Sequence, residues 1–161
     1  MKLNLGCGND FRYDKDWVNL DLTQPCNVIA DATAPHLPFK DESFELVWAA
    51  HILEHISDLV ALQRELARIV KRWGKLCIIV PYYMSPDAWG DPTHCRAFSI
   101  QSFMECFWPG FHPGSLVVRE YTKRGTGEKC KWIHCDMHRN GLEYWEIERD
   151  HGPRSFQKVA S

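Results

Sequence analysis

Residues 44–83 constrain this chain more than any other stretch. The run "FELVWAA" (44–50) is apolar along its length, as a strand covered on both sides must be. In "SDLVALQRELARIVKRWG" (57–74), Leu59, Leu62, Leu66, Ile69 and Trp73 recur at helical spacing. Arg64, Glu65, Arg68 and Lys71 fill the polar side between them. Ser57 or Asp58 is placed to cap the start, and Gly74 to end the helix in a left-handed conformation. "KLCIIVPYY" (75–83) follows at once as a further strand closed by Pro81. Strand, helix and apolar strand in that order predict a parallel sheet covered by helices.

Three more strands read upstream: "KLNL", "WVNLDL" and "CNVIADA". The stretch "NDFRYDKD" between the first two is so short that it leaves room for at most a turn or two of helix. Downstream, "MSPDAWGDPTHCRAF" is rich in turn formers, and "SIQSFMECFW" reads as a short helix. "SLVVREY", "KCKWIHCDM" and "LEYWEIE" suggest strands, the last two joined through an Asn140-Gly141 hairpin turn. Residues 151–161 are expected to be a flexible tail.

Gly6 and Gly8 leave the first strand, and neither has a Cβ to keep a ligand from the backbone. Phe11 stands where a dinucleotide fingerprint would place its third glycine. Asp21 ends the second strand, where a carboxylate can accept hydrogen bonds from both hydroxyls of a ribose. Asp31 ends the third. Open parallel sheets bind ligands outside the carboxyl ends of their strands, which is where Gly6, Gly8, Asp21, Asp31 and His51 fall. Each has a plainer reading: a tight turn for the glycines, a solvated strand end for Asp21, an Asx turn for Asp31.

"LNLGCGN", "VNLDL", "ADATAPHLPFKDESFELVWAAHILEH" and "GKLCIIVPY" together resemble the class I, Rossmann-like S-adenosylmethionine-dependent methyltransferases, and most closely the small type 11 group. The likeness covers about residues 2–82. It implies an α/β fold with an open, mostly parallel twisted sheet, helices on its faces, a truncated N-terminal side and antiparallel strands at the end. It also implies a single domain over 1–161, with 1–82 binding cofactor and 83–150 facing the acceptor. By the resemblance, Gly6, Cys7, Gly8 and Asn9 meet the methionine part of S-adenosyl-L-methionine, Asp21 holds the ribose with Leu22 beside it, and Asp31 with the Ala32 amide reads the adenine edge. Ala50 and His51 flank the sulfonium. The product is S-adenosyl-L-homocysteine. Family members carry helices before the first strand and between the first two; here neither is seen, so a homodimer or a partner subunit is expected to cover that front.

An alcohol acceptor needs a base near neutral pH, and His51 and His94 are the candidates. Asp91 is placed to orient His94, and Arg96 to bind an acidic acceptor. "DPTHCRAFS" also resembles a segment of glycan-linked small methyltransferases. In "HILEH", His51 and His55 are four apart, but the pattern between them is not that of a zinc-protease helix, and no metal is expected there. Cys130, His134, Cys135 and His138 fit no familiar zinc spacing, and strand alternation sends Cys135 away from Cys130.

The formal net charge of −2 provides no global basic field for nucleic acid. No apolar run approaches the length of a membrane span, and no signal peptide is read. Seven cysteines, an odd count, favour reduced thiols and a cytoplasmic setting. The acceptor expected by elimination is a small molecule or a glycan. The competing functions are a non-catalytic cofactor-binding subunit or sensor, and an NAD-dependent oxidoreductase.

Overall fold

The computed structural model describes residues 1–104, 108, 110–123 and 126–139. They form one sheet of seven strands: β1 (Lys2–Leu5), β2 (Trp17–Asp21), β3 (Val28–Ile29), β4 (Phe44–Ala50), β5 (Val70–Pro81), β6 (Phe111–Thr122) and β7 (Lys129–Arg139). The order across the sheet is β3-β2-β1-β4-β5-β7-β6. The first five strands are parallel, and β7 runs antiparallel to both β5 and β6. This is the expected α/β, Rossmann-like open sheet closing on antiparallel strands. The chain order reverses between β1 and β4, so the crevice at their carboxyl ends is the topological switch point.

One face of the sheet carries the core. Leu3, Leu5, Val47, Ala49, Leu76 and Ile78 are fully buried there beneath Leu62, Leu66 and Ala67 of α1 (Leu59–Ile69). Asp58 caps α1, its side chain accepting from the Ala61 amide at 3.0 Å. The other face presents Asn4, Asn19, Trp48, Cys77 and His134, none of which joins that apolar cluster. In place of a helix, the crossover from β1 to β2 is a loop tied down by two buried asparagines. Asn4 Nδ2 donates to the Asp10 carbonyl at 2.6 Å, and Asn19 exchanges hydrogen bonds with the Arg12 backbone at 2.8 and 2.9 Å. Arg12 then lies over the rings of Trp17 and Trp48, at 5.4 and 5.0 Å from their centroids.

Several sequence expectations are corrected. The helix predicted to run to Gly74 stops at Ile69, because Val70 is already extended and pairs with Phe44. Arg139 donates to the Val70 carbonyl, which further pins the chain to the sheet. Pairing resumes at Lys75–Leu46, so residues 71–74 bulge outward and Trp73 is 77% exposed. The left-handed residue is Trp73, at φ 63°, and not Gly74. A Cβ on Gly74 would lie 2.7 Å from a Val70 methyl, so that glycine serves close packing. The third strand shrinks to Val28–Ile29. Strand β6 begins at Phe111, before the predicted "SLVVREY", and pairs with β7 across residues 123–128. The predicted "LEYWEIE" strand, the Asn140-Gly141 turn and the 151–161 tail lie outside the described residues, as does part of the "SIQSFMECFW" helix, seen as α2 (Gln101–Met104).

Candidate active site

Pairing of Leu5 with both Leu20 and Ala49 sets the ends of β1, β2 and β4 side by side. The chain leaves β1 through Gly6 (φ 65°) and Gly8 (φ 46°). The Gly6 and Cys7 amides donate to the Leu20 carbonyl at 2.8 and 3.0 Å, and the Gly8 amide donates to Asp21 Oδ2 at 2.8 Å. Asp21 Oδ1 accepts from the Thr23 amide at 3.1 Å. The glycine turn and the Asp21 carboxylate therefore form one edge, as expected. A Cβ on Gly6 would meet Ile52 at 2.3 Å, whereas one on Gly8 would meet nothing within 4 Å. Space for a ligand is thus open beside Gly8 and Asn9, both exposed.

Cys7 is buried, and burial with the nearby Asp21 carboxylate pushes its thiol pKa up. Leu22 is exposed. Asp31 makes the Asx turn that was its plainer reading: Thr33 donates to Asp31 Oδ1 through both amide and hydroxyl at 2.7 Å. Those bonds hold the Asp31 carboxyl below the usual range. Ala32 is buried next to it.

Beyond Ala50, His51 adopts φ 54° and its amide donates to the Ile79 carbonyl at 2.8 Å. The tight 3-10 turn Leu53–His55 follows. It delivers Glu54, 1% exposed, toward His51, whose Nδ1 lies 3.3 Å from Glu54 Oε1. These groups open on a cavity of about 600 Å³ at the end of β5. His51, Glu54, His55, Asp91 and His94 line one side. Asp87, Tyr121 and Lys123 line the other: Tyr121 donates its hydroxyl to Asp87, and Lys123 Nζ lies 2.9 Å from Asp87 Oδ1. The two donors hold the Asp87 carboxyl down at about 2.

His51 thus meets Asp91 and His94, from a segment some forty residues later, at one cavity. Asp91 does not orient His94 in the way the sequence suggested. Its carboxylate accepts from the Thr93 hydroxyl at 2.6 Å, and Thr93 Oγ1 sits 2.9 Å from His55 Nδ1. His94 Nδ1 instead lies 3.2 Å from the Ala88 carbonyl. Arg96 turns away from the cavity and donates to the Ser57 carbonyl at 2.7 Å. Glu54, His55 and Thr93 were missed as site residues. The run "HILEH" was visible in the sequence, but the burial of Glu54, which makes a partner necessary, shows only in the fold.

Cys130 and Cys135 alternate to opposite faces of β7, as expected. His134 Nε2 meets Cys77 Sγ at 3.0 Å and Asp136 Oδ1 at 3.4 Å instead of joining the cysteines of its own strand. The described cysteines form no disulfide.

Residues 3–78 match a family model described as a methyltransferase domain. An uncharacterised protein of Methanocaldococcus jannaschii (MJ0638) is 37% identical over 91 residues, which span 50% of this chain and 40% of that protein. The chain thus spans well under two thirds of that relative's length. Among solved structures, a S-adenosylmethionine-dependent methyltransferase of Methanosarcina mazei superposes with a TM-score of 0.61 at 15% identity, over 88% of this chain and 92% of its own. A Haloferax volcanii candidate methyltransferase, solved with the Trm112 methyltransferase activator, superposes at 0.65 with 17% identity, over 86% and 82%.

Proposed function

We propose, for a chain whose residues 3–78 match the methyltransferase domain model and whose sheet is of the class I kind, that it is a methyltransferase and methylates a hydroxyl of a small-molecule or sugar acceptor. The methyl donor is S-adenosyl-L-methionine. The observation that carries the reading is the glycine turn and Asp21 on one edge at the switch point, next to a histidine-lined cavity.

On this reading the Gly6-Cys7-Gly8-Asn9 turn receives the methionine part, and Asp21 and Leu22 the ribose. The Asp31 carboxylate and Ala32 amide face the adenine, and Ala50 and His51 flank the sulfonium. Its open backbone and free edge fit such a group. When bound, the cofactor would supply a sulfonium-activated methyl carbon for in-line attack by an acceptor oxygen, with the thioether as leaving group. His51 takes the proton from that oxygen. Its Nδ1–H points to Glu54, which holds the ring and stabilises the imidazolium, leaving Nε2 as the base. Asp87, Lys123 and His94 orient the acceptor, and Arg96 supports the segment after β5 that carries Asp87 and His94.

Calorimetric titration with S-adenosylmethionine, S-adenosylhomocysteine and NAD tests this directly. Both adenosyl ligands are expected to bind in the micromolar range, and NAD not at all. Asp21→Ala should weaken S-adenosylhomocysteine by about tenfold or more, the worth of a charge-assisted hydrogen bond. Unchanged affinity removes Asp21 from the ribose role, and binding of NAD alone changes the enzyme class.

The free thiols agree with a reducing, cytoplasmic setting. No helix of the described residues is long and apolar enough to cross a membrane. A second subunit lying over the face that carries half-buried Trp17, Trp48 and Trp132, and that α1 does not cover, completes the proposal. Light scattering should then give a dimer mass or reveal a co-purifying chain; a lone monomer would remove this part.

A further inference from the structure

Glu54, His55 and His94 each offer a ligating atom within 4.8 Å of one from the other two. The hydrogen bonds around them settle which atoms remain free. The Thr93 hydroxyl has one proton, and Asp91 Oδ1, an acceptor only, takes it at 2.6 Å. Toward His55, Thr93 Oγ1 must therefore accept, so His55 Nδ1 carries the proton and Nε2 the lone pair. His94 Nδ1 likewise faces a carbonyl, that of Ala88, and leaves its Nε2 unprotonated. The two rings stand edge to face with centroids 4.6 Å apart. Glu54 is 1% exposed, and while Oε1 meets His51, Oε2 is buried with no hydrogen-bond partner among the described residues. A buried carboxylate oxygen left without a donor is costly unless a cation comes to it.

We propose that Glu54, His55 and His94 bind a divalent transition-metal ion of the zinc type, and that this ion holds the hydroxyl of an acceptor able to chelate through two oxygens. The role in methyl transfer rests on the function proposed above; the site itself does not. Two imidazoles and one carboxylate are the ligand set of open catalytic zinc sites, which leave coordination positions for substrate. Each histidine passes its other N–H outward, His55 to Thr93 and Asp91, His94 to a backbone carbonyl. Such outer contacts orient metal-ligating rings and raise their basicity. One carboxylate against a divalent ion leaves a net positive charge, which lowers the pKa of a bound hydroxyl. That hydroxyl gives its proton to His51, in the same cavity. Its oxygen bonds to the methyl carbon as the C–S electron pair leaves with the thioether.

The proposal departs from the sequence expectation of no metal at "HILEH". The spacing argument weighed His51 with His55, whereas the structure pairs His55 with His94, thirty-nine residues away.

The test is Co2+ titration of chelator-stripped protein, followed by visible absorption and competition with Zn2+. One Co2+ per chain, with intense d–d bands abolished by Zn2+, is expected. His94→Ala and Glu54→Gln should each weaken Co2+ by at least tenfold, and Thr93→Val, which removes only an outer contact, by about tenfold. If Glu54→Gln does not fold, His94→Ala on its half-buried loop decides the matter. No Co2+ spectrum, or one unchanged in the variants, overturns the site. S-adenosylhomocysteine calorimetry on the same stripped protein separates the two readings. S-adenosylhomocysteine binding in a protein that takes up no Co2+ overturns only the metal site; Co2+ uptake by a protein that does not bind S-adenosylhomocysteine keeps the site and overturns its part in methyl transfer.

Discussion

Arg68→Ala is expected to destabilise the protein by about 3–5 kcal/mol, the cost of leaving a buried partner charge uncompensated. That partner is Glu65, whose side chain is 5% exposed. Arg68 gives Glu65 two hydrogen bonds, donates to the Leu37 and Phe39 carbonyls at 3.3 and 2.8 Å, and meets Asp41 at 2.7 Å. Glu65 in turn accepts from the Leu37 amide at 2.7 Å. One helical ion pair therefore binds α1 to the whole loop that leads into β4, whose Phe39 packs edge-on against Phe44 at 4.8 Å. The melting temperature should fall on the order of 10 °C. The pH dependence gives a second signature. Burial pushes the Glu65 carboxyl up, but the hydrogen bonds from Arg68 and Leu37 outweigh it, and the folded value lies below the ordinary 4.5. A carboxyl depressed in this way contributes stability above the unfolded value and loses it as pH falls through the folded one. The gap between wild type and variant is thus expected to be full at pH 7 and to narrow below about pH 4.5. Thermal melts showing a gap under about 1 kcal/mol, or one independent of pH, would remove Arg68 from this role.

Gly6→Ala is expected to abolish measurable S-adenosylhomocysteine binding and to lower the melting temperature, while Gly8→Ala leaves stability much closer to wild type. Both glycines sit at positive φ, which costs a non-glycine residue about 1–2 kcal/mol. Only at Gly6 is there also a collision, with Ile52 Cδ1 at 2.3 Å and Cβ at 3.0 Å. Ile52 packs against the core and is followed by the turn bearing Glu54 and His55, so relief of the clash displaces both the glycine turn and the histidine-lined cavity. Ile52→Ala in the Gly6→Ala background should recover part of the stability. Equal losses at the two glycines would mean that backbone conformation alone matters, and that the close approach to Ile52 is incidental.

The succession of strands and helix along the chain, the parallel sheet, and the glycine turn beside Asp21 were legible in the sequence because they rest on local signals. The apolar run of "FELVWAA", the helical spacing from Leu59 to Ile69, and glycines following a strand each act over a few residues. The end of α1 was not legible. Helical periodicity continues to Trp73, but pairing of Val70 with Phe44 and the bond from Arg139, sixty-nine residues away, end the helix first. Asn4 and Asn19 read as polar residues in strands, and only the folded chain shows them tying down the crossover loop. The same holds at the cavity. His51 and His94 could be named from their chemistry, yet the link from Asp91 through Thr93 to His55, and the contact of His55 with His94, join the end of β4 to a loop beyond β5. Sequence by itself determined which elements form and which edge of the sheet is open to a ligand, since hydrophobic period and glycine placement are written residue by residue. Tertiary structure alone decided which polar groups share a site, because hydrogen bonds and ligating lone pairs depend on distances between segments that only the closed sheet brings together.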